Sequence, residues 1–491
     1  MSRAGTTDVE VAIVGAGFAG LGLAIRLRRQ GHRDFLLLER ADDVGGTWRD
    51  NRYPGVACDV PSHLYSFSFR PAPDWSRIYA PGAEIQQYLR TAAVEEGVAG
   101  HVRFGAEMRE ARWTGRGWEL RTDAGTVRAR VLVLAAGRLT DPRVPDIPGL
   151  DTFDGPVVHT ARWDPATPVD GHRVGVVGTG ASAAQVIPQL ADRARELVVL
   201  QRTPTWVVPR GDRAYTAEER ARFTRDPVAA RRHREDIFDE AERGIAARRR
   251  LRPAIDELRT RARDHLHAQV TDPDLRRRLS PGYEIGCKRI VLSDELYPAL
   301  DRPHVTVEDS ALVAVDGSTA VAGSGRRHEL DVLVLATGFH ATRQPYAGRV
   351  HGRTGSLEDH WADGMSAYAS TAVHGFPNMF VLDGPNASLG HNSAVYMIET
   401  QIDYVLGALA HLGTTGGPLE VSAAAERAYV RDVDRAARDT VWLRGGCRSW
   451  YVDEASGRLT LLWPGSARSF RERNAEFDPR PYLGTAGAAS A

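Results

Sequence analysis

Two stretches of this chain have the residue types and spacing to hold phosphate groups: Gly15-Ala16-Gly17-Phe18-Ala19-Gly20 and Gly178-Thr179-Gly180-Ala181-Ser182-Ala183. A glycine turn between a strand and a helix offers an anion backbone N–H groups and the positive end of the helix dipole. In the first motif Gly15 permits the tight turn, Gly17 lets the main chain approach a pyrophosphate, and Gly20 allows close helix–strand packing. Glu39 ends the following strand, where its carboxylate can accept both hydroxyls of an adenosine ribose and would repel a 2′-phosphate. This site suits FAD or NAD, not NADP. In the second motif Ala183 takes the third position, and the following strand ends at Arg202-Thr203 in place of an acidic residue. A guanidinium beside a hydroxyl suits a 2′-phosphate through charge-assisted bonds, which favours NADPH. FAD at one site and NADPH at the other make a flavin reductase, whose electrons need an acceptor.

The elements that must position these motifs can be read from the apolar pattern. The strand Val9–Val14 precedes the first turn, and the helix after it runs to Gly31, a left-handed cap. A second strand–turn–helix unit starts at Arg173. Short apolar runs at Val131–Leu134, Leu197–Leu200, Asp331–Leu335 and Met379–Leu382 predict further strands. The fold class expected is α/β, with two Rossmann-like dinucleotide-binding domains and a helical insertion. The FAD-binding domain is expected in two parts, 1–145 and 343–483. The NADP-binding domain is expected at 150–212 and 284–342, with the insertion at 213–283 between its halves. Asp141–Gly149, rich in Pro and Gly, reads as an interdomain linker, and 484–491 as a disordered tail.

Composition excludes several classes. Lys+Arg and Asp+Glu are 63 each in 491 residues, so no net field recruits nucleic acid or an anionic membrane. The insertion carries Arg231-Arg232, Arg248–Arg250 and Arg276–Arg278, but Asp236, Asp239, Glu240 and Glu242 interleave with them. This reads as a solvated helical surface. The N-terminus has no apolar leader and no run is long enough to span a membrane, so a cytoplasmic protein is expected. Cys58, Cys287 and Cys447 form no CxxC or CxxxxC pair. That argues against zinc, against any metal centre and against a dithiol redox centre, and it points to a reducing compartment. With no cysteine pair near the flavin, a disulfide reductase is set aside. O2 or a separate acceptor remains.

Between the nucleotide motifs, Phe153-Asp154-Gly155-Pro156-Val157-Val158-His159-Thr160-Ala161-Arg162-Trp163-Asp164 resembles the fingerprint of type I Baeyer–Villiger monooxygenases, FxGxxxHTxxW followed by Pro or Asp. These are class B flavoprotein monooxygenases. Phe153, Gly155, His159, Thr160 and Trp163 occupy its fixed positions. A second family pattern stands at Gly45-Gly46-Thr47-Trp48, Tyr53-Pro54-Gly55 and Asp59, and the likeness continues as far as Ala336-Thr337-Gly338. The resemblance implies an enzyme that uses NADPH, FAD and O2 to convert a ketone or aldehyde to an ester or lactone through a C4a-peroxyflavin.

It also implies roles. Arg289, within Gly286-Cys287-Lys288-Arg289-Ile290, would stabilise the peroxide anion, and Asp59 would pair with Arg289 and orient it. Read without the family, Arg289 is a basic residue before a strand-like run. Gly46, Thr47 and Trp48 would contact the flavin cofactor. Lys288 would join Arg202 and Thr203 on the 2′-phosphate, and Trp450 would contact NADP, although an aromatic pair is also a usual core element. His159 is open between a structural role at the domain junction and a catalytic one. Leu389, His391 and Asn392 lie in a loop that would line the substrate pocket, with capping of the next helix as the alternative for the polar pair. Two other functions compete: an N- or S-oxidising flavin monooxygenase, against which the full fingerprint and Arg289 count, and a non-catalytic flavin-binding protein. The identity of the carbonyl compound and the oligomeric state are not encoded in any motif. Ten tryptophans, among them Trp442, Trp450 and Trp463, fit a roomy apolar pocket and an aromatic core equally.

Overall fold

The structure is a computed structural model that describes residues 5–483; the tail expected to be disordered lies outside them. Two sheets organise the chain. In the larger, eight-stranded sheet, Thr6–Val14 pairs in parallel with Phe35–Leu38 on one side and Gly125–Leu134 on the other. Met379–Val381, more than two hundred residues later in the chain, also pairs in parallel with Gly125–Leu134. The central strands are buried on both faces, which is why they read as continuous apolar runs and not as an alternating pattern. The helix Phe18–Arg29 packs between this sheet and the long helix Ala394–Thr415, with which it shares a core. It is apolar nearly all round because it is covered nearly all round. Gly31 follows it at φ +90°, the left-handed stop expected from sequence.

The second sheet is five-stranded and wholly parallel, in the order Val305–Glu308, Glu196–Leu200, Arg173–Val177, Val332–Leu335, Val157–His159. Its last strand comes from the fingerprint segment. A three-stranded antiparallel sheet (Leu312–Asp316, Thr319–Ala322, Arg327–Glu329) packs over it together with Leu150 and Phe153.

Between the strands Glu196–Leu200 and Val305–Glu308 of the five-stranded sheet the chain is largely helical, with Ala217–Arg225, Pro227–Arg243, Ile245–Arg248, Ala254–Gln269 and Pro273–Leu279. Local chemistry sets its boundaries: Thr216 and Glu219 form a capping box, and Asp226 accepts from Val228 N and Ala229 N ahead of Pro227 at the first helical position. The solvated reading of its basic clusters holds for Arg231 and Arg232, which are exposed. It fails for Arg248 and Arg278, which turn inward to donate to Gly390 O at 2.9 Å and Val307 O at 2.7 Å. Charge density along a helix does not reveal which side chains a neighbouring loop will cover.

The cysteines correct another expectation. Cys287 and Cys447 form a disulfide across 160 residues of sequence, while Cys58 is a buried thiol. Two of the three cysteines therefore lend no support to a reducing compartment. Among the described residues no helix is long and apolar enough to cross a membrane, and no cluster of His, Cys, Asp and Glu could hold a metal ion.

Candidate functional site

At the first glycine turn, a Cβ on Gly20 would stand 1.9 Å from Gly15 O, so helix and turn meet where only glycine fits. Gly17 is different. A Cβ there would meet nothing closer than Gly46 Cα at 3.7 Å, so no protein atom demands a glycine. The space left there suits a ligand approaching the main chain. Glu39 is buried, accepts from Ala16 N at 2.9 Å and Ala41 N at 3.0 Å, and pairs with Arg49 at 2.8 Å. Gly46, Thr47 and Trp48 stand opposite, at the start of the helix Thr47–Asp50, with Gly46 at φ +52°.

Gly15, Gly17, Glu39, Gly46, Thr47, Trp48 and Arg49 line one open cleft with Ala135, Arg138, Tyr346 and Asp383. Arg138 and Asp383 are paired, yet Arg138 Nε and Nη1 and Asp383 Oδ1 are buried without a hydrogen bond of normal geometry. Burial lowers the Arg138 guanidinium to about 10. An elongated cleft with a glycine cradle, a ribose-ready carboxylate and orphaned polar atoms at its inner end fits a flavin dinucleotide. Sequence reasoning missed Arg49, Arg138 and Asp383. The signal for the last two was their position just beyond the strands Gly125–Leu134 and Met379–Val381, where an open sheet places its ligand contacts.

The second turn repeats the logic. A Cβ on Gly178 would approach Ala336 O to 2.6 Å, whereas one on Gly180 would meet nothing within 4 Å. Ala183 is fully buried against the sheet. Thr179 Oγ1 donates to Thr203 O at 3.0 Å, tying the turn to the strand end that carries Arg202. Arg202 is exposed and forms no ion pair among the described residues. Lys288 stands close enough that burial first, and the Arg202 charge second, push its ammonium below the usual lysine range. Two cations converging without a carboxylate make an anion site, which fits the 2′-phosphate expected there.

Arg289 and Asp59, 230 residues apart, meet as expected. Arg289 Nε donates to Asp59 Oδ2 at 2.9 Å and Nη2 to the same oxygen at 2.5 Å. The Asp59 carboxylate is the main reason the guanidinium lies far above the ordinary arginine range; burial opposes it, and the Tyr451 hydroxyl reinforces it. The group is a cation at every accessible pH. The turn before Asp59 is braced on the second nucleotide unit, since Ala57 N donates to Gln185 Oε1 at 2.6 Å and a Cβ on Gly55 would stand 2.5 Å from Gln185 O. On the other side the disulfide fastens Cys287, two residues before Arg289, to the segment that carries Trp450 and Tyr451. Trp450 is 39% exposed and so is not a core aromatic, while Tyr451 beside it is buried.

The fingerprint residues lie apart from this pair. Phe153 packs under the three-stranded sheet, and a Cβ on Gly155 would fall 2.1 Å from Asp331 O. Thr160 is buried, and Trp163 packs on the core of the parallel sheet. His159 is buried, its Nδ1 accepts from Ala161 N at 3.1 Å, and its ring stands 6.1 Å from that of Phe339. Burial lowers the imidazole to about 4, against the Gly338 backbone, which raises it. It is neutral near pH 7 and far from Asp59 in sequence and partners alike.

The loop residues are also engaged. Leu389 joins a core with Trp463 and Phe470. Asn392 Nδ2 donates to Glu242 Oε1 at 2.9 Å, and His391 Nε2 stands 3.4 Å from the same oxygen. The helix that follows is capped by Ser393, which accepts from Val395 N. In this structure His391 and Asn392 tie the loop to the insertion.

Residues 12–222 match the family described as pyridine nucleotide-disulphide oxidoreductase. A "Baeyer-Villiger monooxygenase" of Streptomyces coelicolor is 45% identical over 479 residues, covering 96% of this chain and 92% of that protein. One of the same description from Pseudomonas aeruginosa is 42% identical, covering 96% and 91%. Among solved structures, cyclohexanone monooxygenase from Rhodococcus sp. Phi1 bound to NADP+ superposes with a TM-score of 0.84 at 30% identity, covering 95% of this chain and 97% of that one. With the two glycine cradles and the Arg289–Asp59 pair in place, likeness of this extent means that the chain belongs to the Baeyer–Villiger monooxygenase family.

Proposed function

We propose that this protein uses NADPH and O2 to insert one oxygen atom beside the carbonyl of a ketone or aldehyde, giving an ester or lactone. FAD is assigned to the cavity between Gly15 and Glu39, and NADPH to the turn at Gly178–Gly180 with Arg202, Thr203 and Lys288. The FAD-binding part comprises 1–145 and 343–483, and the NADP-binding part 150–212 and 284–342, with the insertion between the latter two. When bound, NADPH supplies hydride and the reduced flavin supplies the activation of O2.

The rest of the chemistry falls to this chain. Arg289 holds a fixed positive charge where an anionic oxygen must be stabilised and later an oxyanion accommodated. Asp59 keeps that guanidinium in one orientation through two bonds to a single oxygen, leaving its other donors for reacting atoms. The site needs a cation that never gives up its proton, because a donor able to protonate the anionic oxygen would turn a nucleophile into an electrophile. His159, neutral and buried, supports the junction between the strand Val157–His159 and the Gly338 turn and takes no part in proton transfer.

The observation that carries this reading is the Arg289–Asp59 ion pair, which joins two motifs remote in sequence beside Tyr451. The test is NADPH oxidation by the holoenzyme with ketones of graded size, followed by mass spectrometry of the products. Ester or lactone formed in step with NADPH consumption is the expected result. NADPH consumption that yields only hydrogen peroxide across the whole panel would overturn the proposal.

A further inference from the structure

Several guanidinium groups that turn into the molecule are paired with carboxylates. Arg49 has Glu39 and Asp50, Arg138 has Asp383, and Arg289 has Asp59. Arg234, deeper in the insertion, has Glu399 as its favourable neighbour. Arg248 has none. It ends the short helix Ile245–Arg248, and only main-chain carbonyls hold its guanidinium, Gly390 O at 2.9 Å and Gly244 O at 3.4 Å. Among the described residues it forms no ion pair, and no hydrogen bond engages its Nε.

Its electrostatic surroundings are unusual for a structural arginine. Burial lowers it to about 10; the neighbours that act on it are the Tyr451 hydroxyl, which favours the charge, and Arg289, which opposes it. The Tyr451 hydroxyl thus acts on three guanidinium groups, those of Arg138, Arg248 and Arg289, the last being the cation assigned to the reacting oxygen. Arg248 is half-buried, and placing a cation there without a counter-charge is costly, a second cation nearby adding to the cost. Such an arrangement is relieved by an anion. The cofactor phosphates are not available for this purpose, because they are accounted for at Gly15–Gly20 and at Gly178–Gly180 with Arg202 and Lys288.

We propose that Arg248 is a specificity residue, which binds the carboxylate of an oxo acid and so presents that substrate's carbonyl toward Arg289. The substrate class is then an anionic carbonyl compound, with several bonds between carboxylate and carbonyl so that one group can reach each arginine. This rests on the oxygen-insertion reading above. It differs from that reading in what it demands, since a neutral ketone would also be oxidised, but poorly. Gly390 has the matching role of a positioning residue: its carbonyl fixes the Arg248 guanidinium, and a Cβ on it would press to 3.0 Å from Trp442.

The experiment compares oxo acids of graded length with their own methyl esters, which keep the carbonyl and remove the charge. A charge-assisted contact of this kind corresponds to roughly 10–100-fold. The holoenzyme is expected to show kcat/KM higher by about that factor for the best acid than for its ester. Arg248→Met should abolish the preference by slowing the acid alone, and Arg248→Lys should keep part of it. Direct titration of the oxidised wild-type enzyme, followed by tryptophan fluorescence or flavin absorbance, needs no variant and should show the acid binding more tightly, with an affinity that falls as salt rises. Equal handling of acid and ester by the wild type would overturn the proposal. So would an Arg248→Met protein that loses both substrates alike or whose chief defect is in NADP+ affinity. If neutral ketones yield esters while no oxo acid is preferred, this inference alone fails; if nothing yields an ester, the reading beneath it fails as well.

Discussion

Arg289 differs from an ordinary surface arginine in that two bonds to Asp59 hold it and a buried tyrosine hydroxyl faces it. Replacing it by alanine removes a preorganised cation but touches neither glycine turn. Arg289→Ala is therefore expected to keep flavin reduction by NADPH near the wild-type rate and to lose oxygen insertion by about 10²-fold or more. Stopped-flow reduction together with product analysis checks both halves, and retained ester formation would remove Arg289 from the mechanism. His159 makes the opposite kind of prediction. Its imidazole is held near 4 in the folded protein, below the ordinary value of 6.5. Between those values the unfolded chain binds a proton that the folded one does not, so stability rises with pH across that window and is complete above it. The burial corresponds to up to about 3 kcal/mol at the acid end. Denaturant unfolding at pH 5 and pH 7 should show this slope, and His159→Gln should reduce it, with buried His63 keeping part of it, without altering the pH dependence of turnover near neutrality. Glu39 and Arg202 were legible from sequence because their meaning depends only on distance from a glycine turn along one strand. The Arg289–Asp59 pair was not: no spacing rule joins residues 230 apart, and the family likeness alone pointed to it. Arg138 and Asp383 went unread because each completes the cavity only once its strand has joined the sheet.

At the scale of elements, the two strand–turn–helix units were legible because their strands are doubly covered and their turns carry glycine for steric reasons, as at Gly20. The insertion was legible as helical but not in its contacts. Its helix Pro227–Arg243 is moored by Glu242, which accepts from Asn392 Nδ2 and Ala467 N, each at 2.9 Å, and from Arg468 N at 3.2 Å. Burial works to raise this carboxyl, yet His391 and the other donors hold it down at about 2. Glu242→Ala leaves those half-buried donors unpaired, a loss of about 1–3 kcal/mol. The expected outcome is a lower unfolding midpoint and faster proteolysis within 213–283, with the nucleotide sites intact. An unchanged digestion pattern would show that the mooring contributes little. The family resemblance makes the loop with Leu389, His391 and Asn392 a wall of the substrate pocket. What the pattern could not show is that its polar side chains turn toward the insertion, where Glu242 gathers them.

At the scale of the whole molecule, the parts of the chain return to one another over long separations, and the Cys287–Cys447 disulfide fixes one of those returns covalently. It links the segment bearing Lys288 and Arg289 to the segment bearing Trp450 and Tyr451, so the two segments are bolted together beside Arg289. Short spacing is the signal by which a sequence betrays a cysteine pair, and these two lie 160 residues apart. Closing a loop of that length restricts the unfolded chain by up to roughly 5 kcal/mol in the chain-entropy account, any residual structure in that chain reducing the figure. Cys447→Ser is thus expected to lower the melting temperature by several degrees, and a dithiol reductant should bring the wild type down to the same value while leaving the variant unmoved. The consequence for chemistry follows from position. Without the link, packing alone holds Tyr451 beside Arg289, and the variant should release more hydrogen peroxide per NADPH consumed while reducing its flavin at the normal rate. Calorimetry with and without reductant, peroxide assay and a thiol count on the denatured protein test this together. Three free thiols in untreated wild type, or a melting temperature indifferent to reductant, would show that the two segments are held by packing alone.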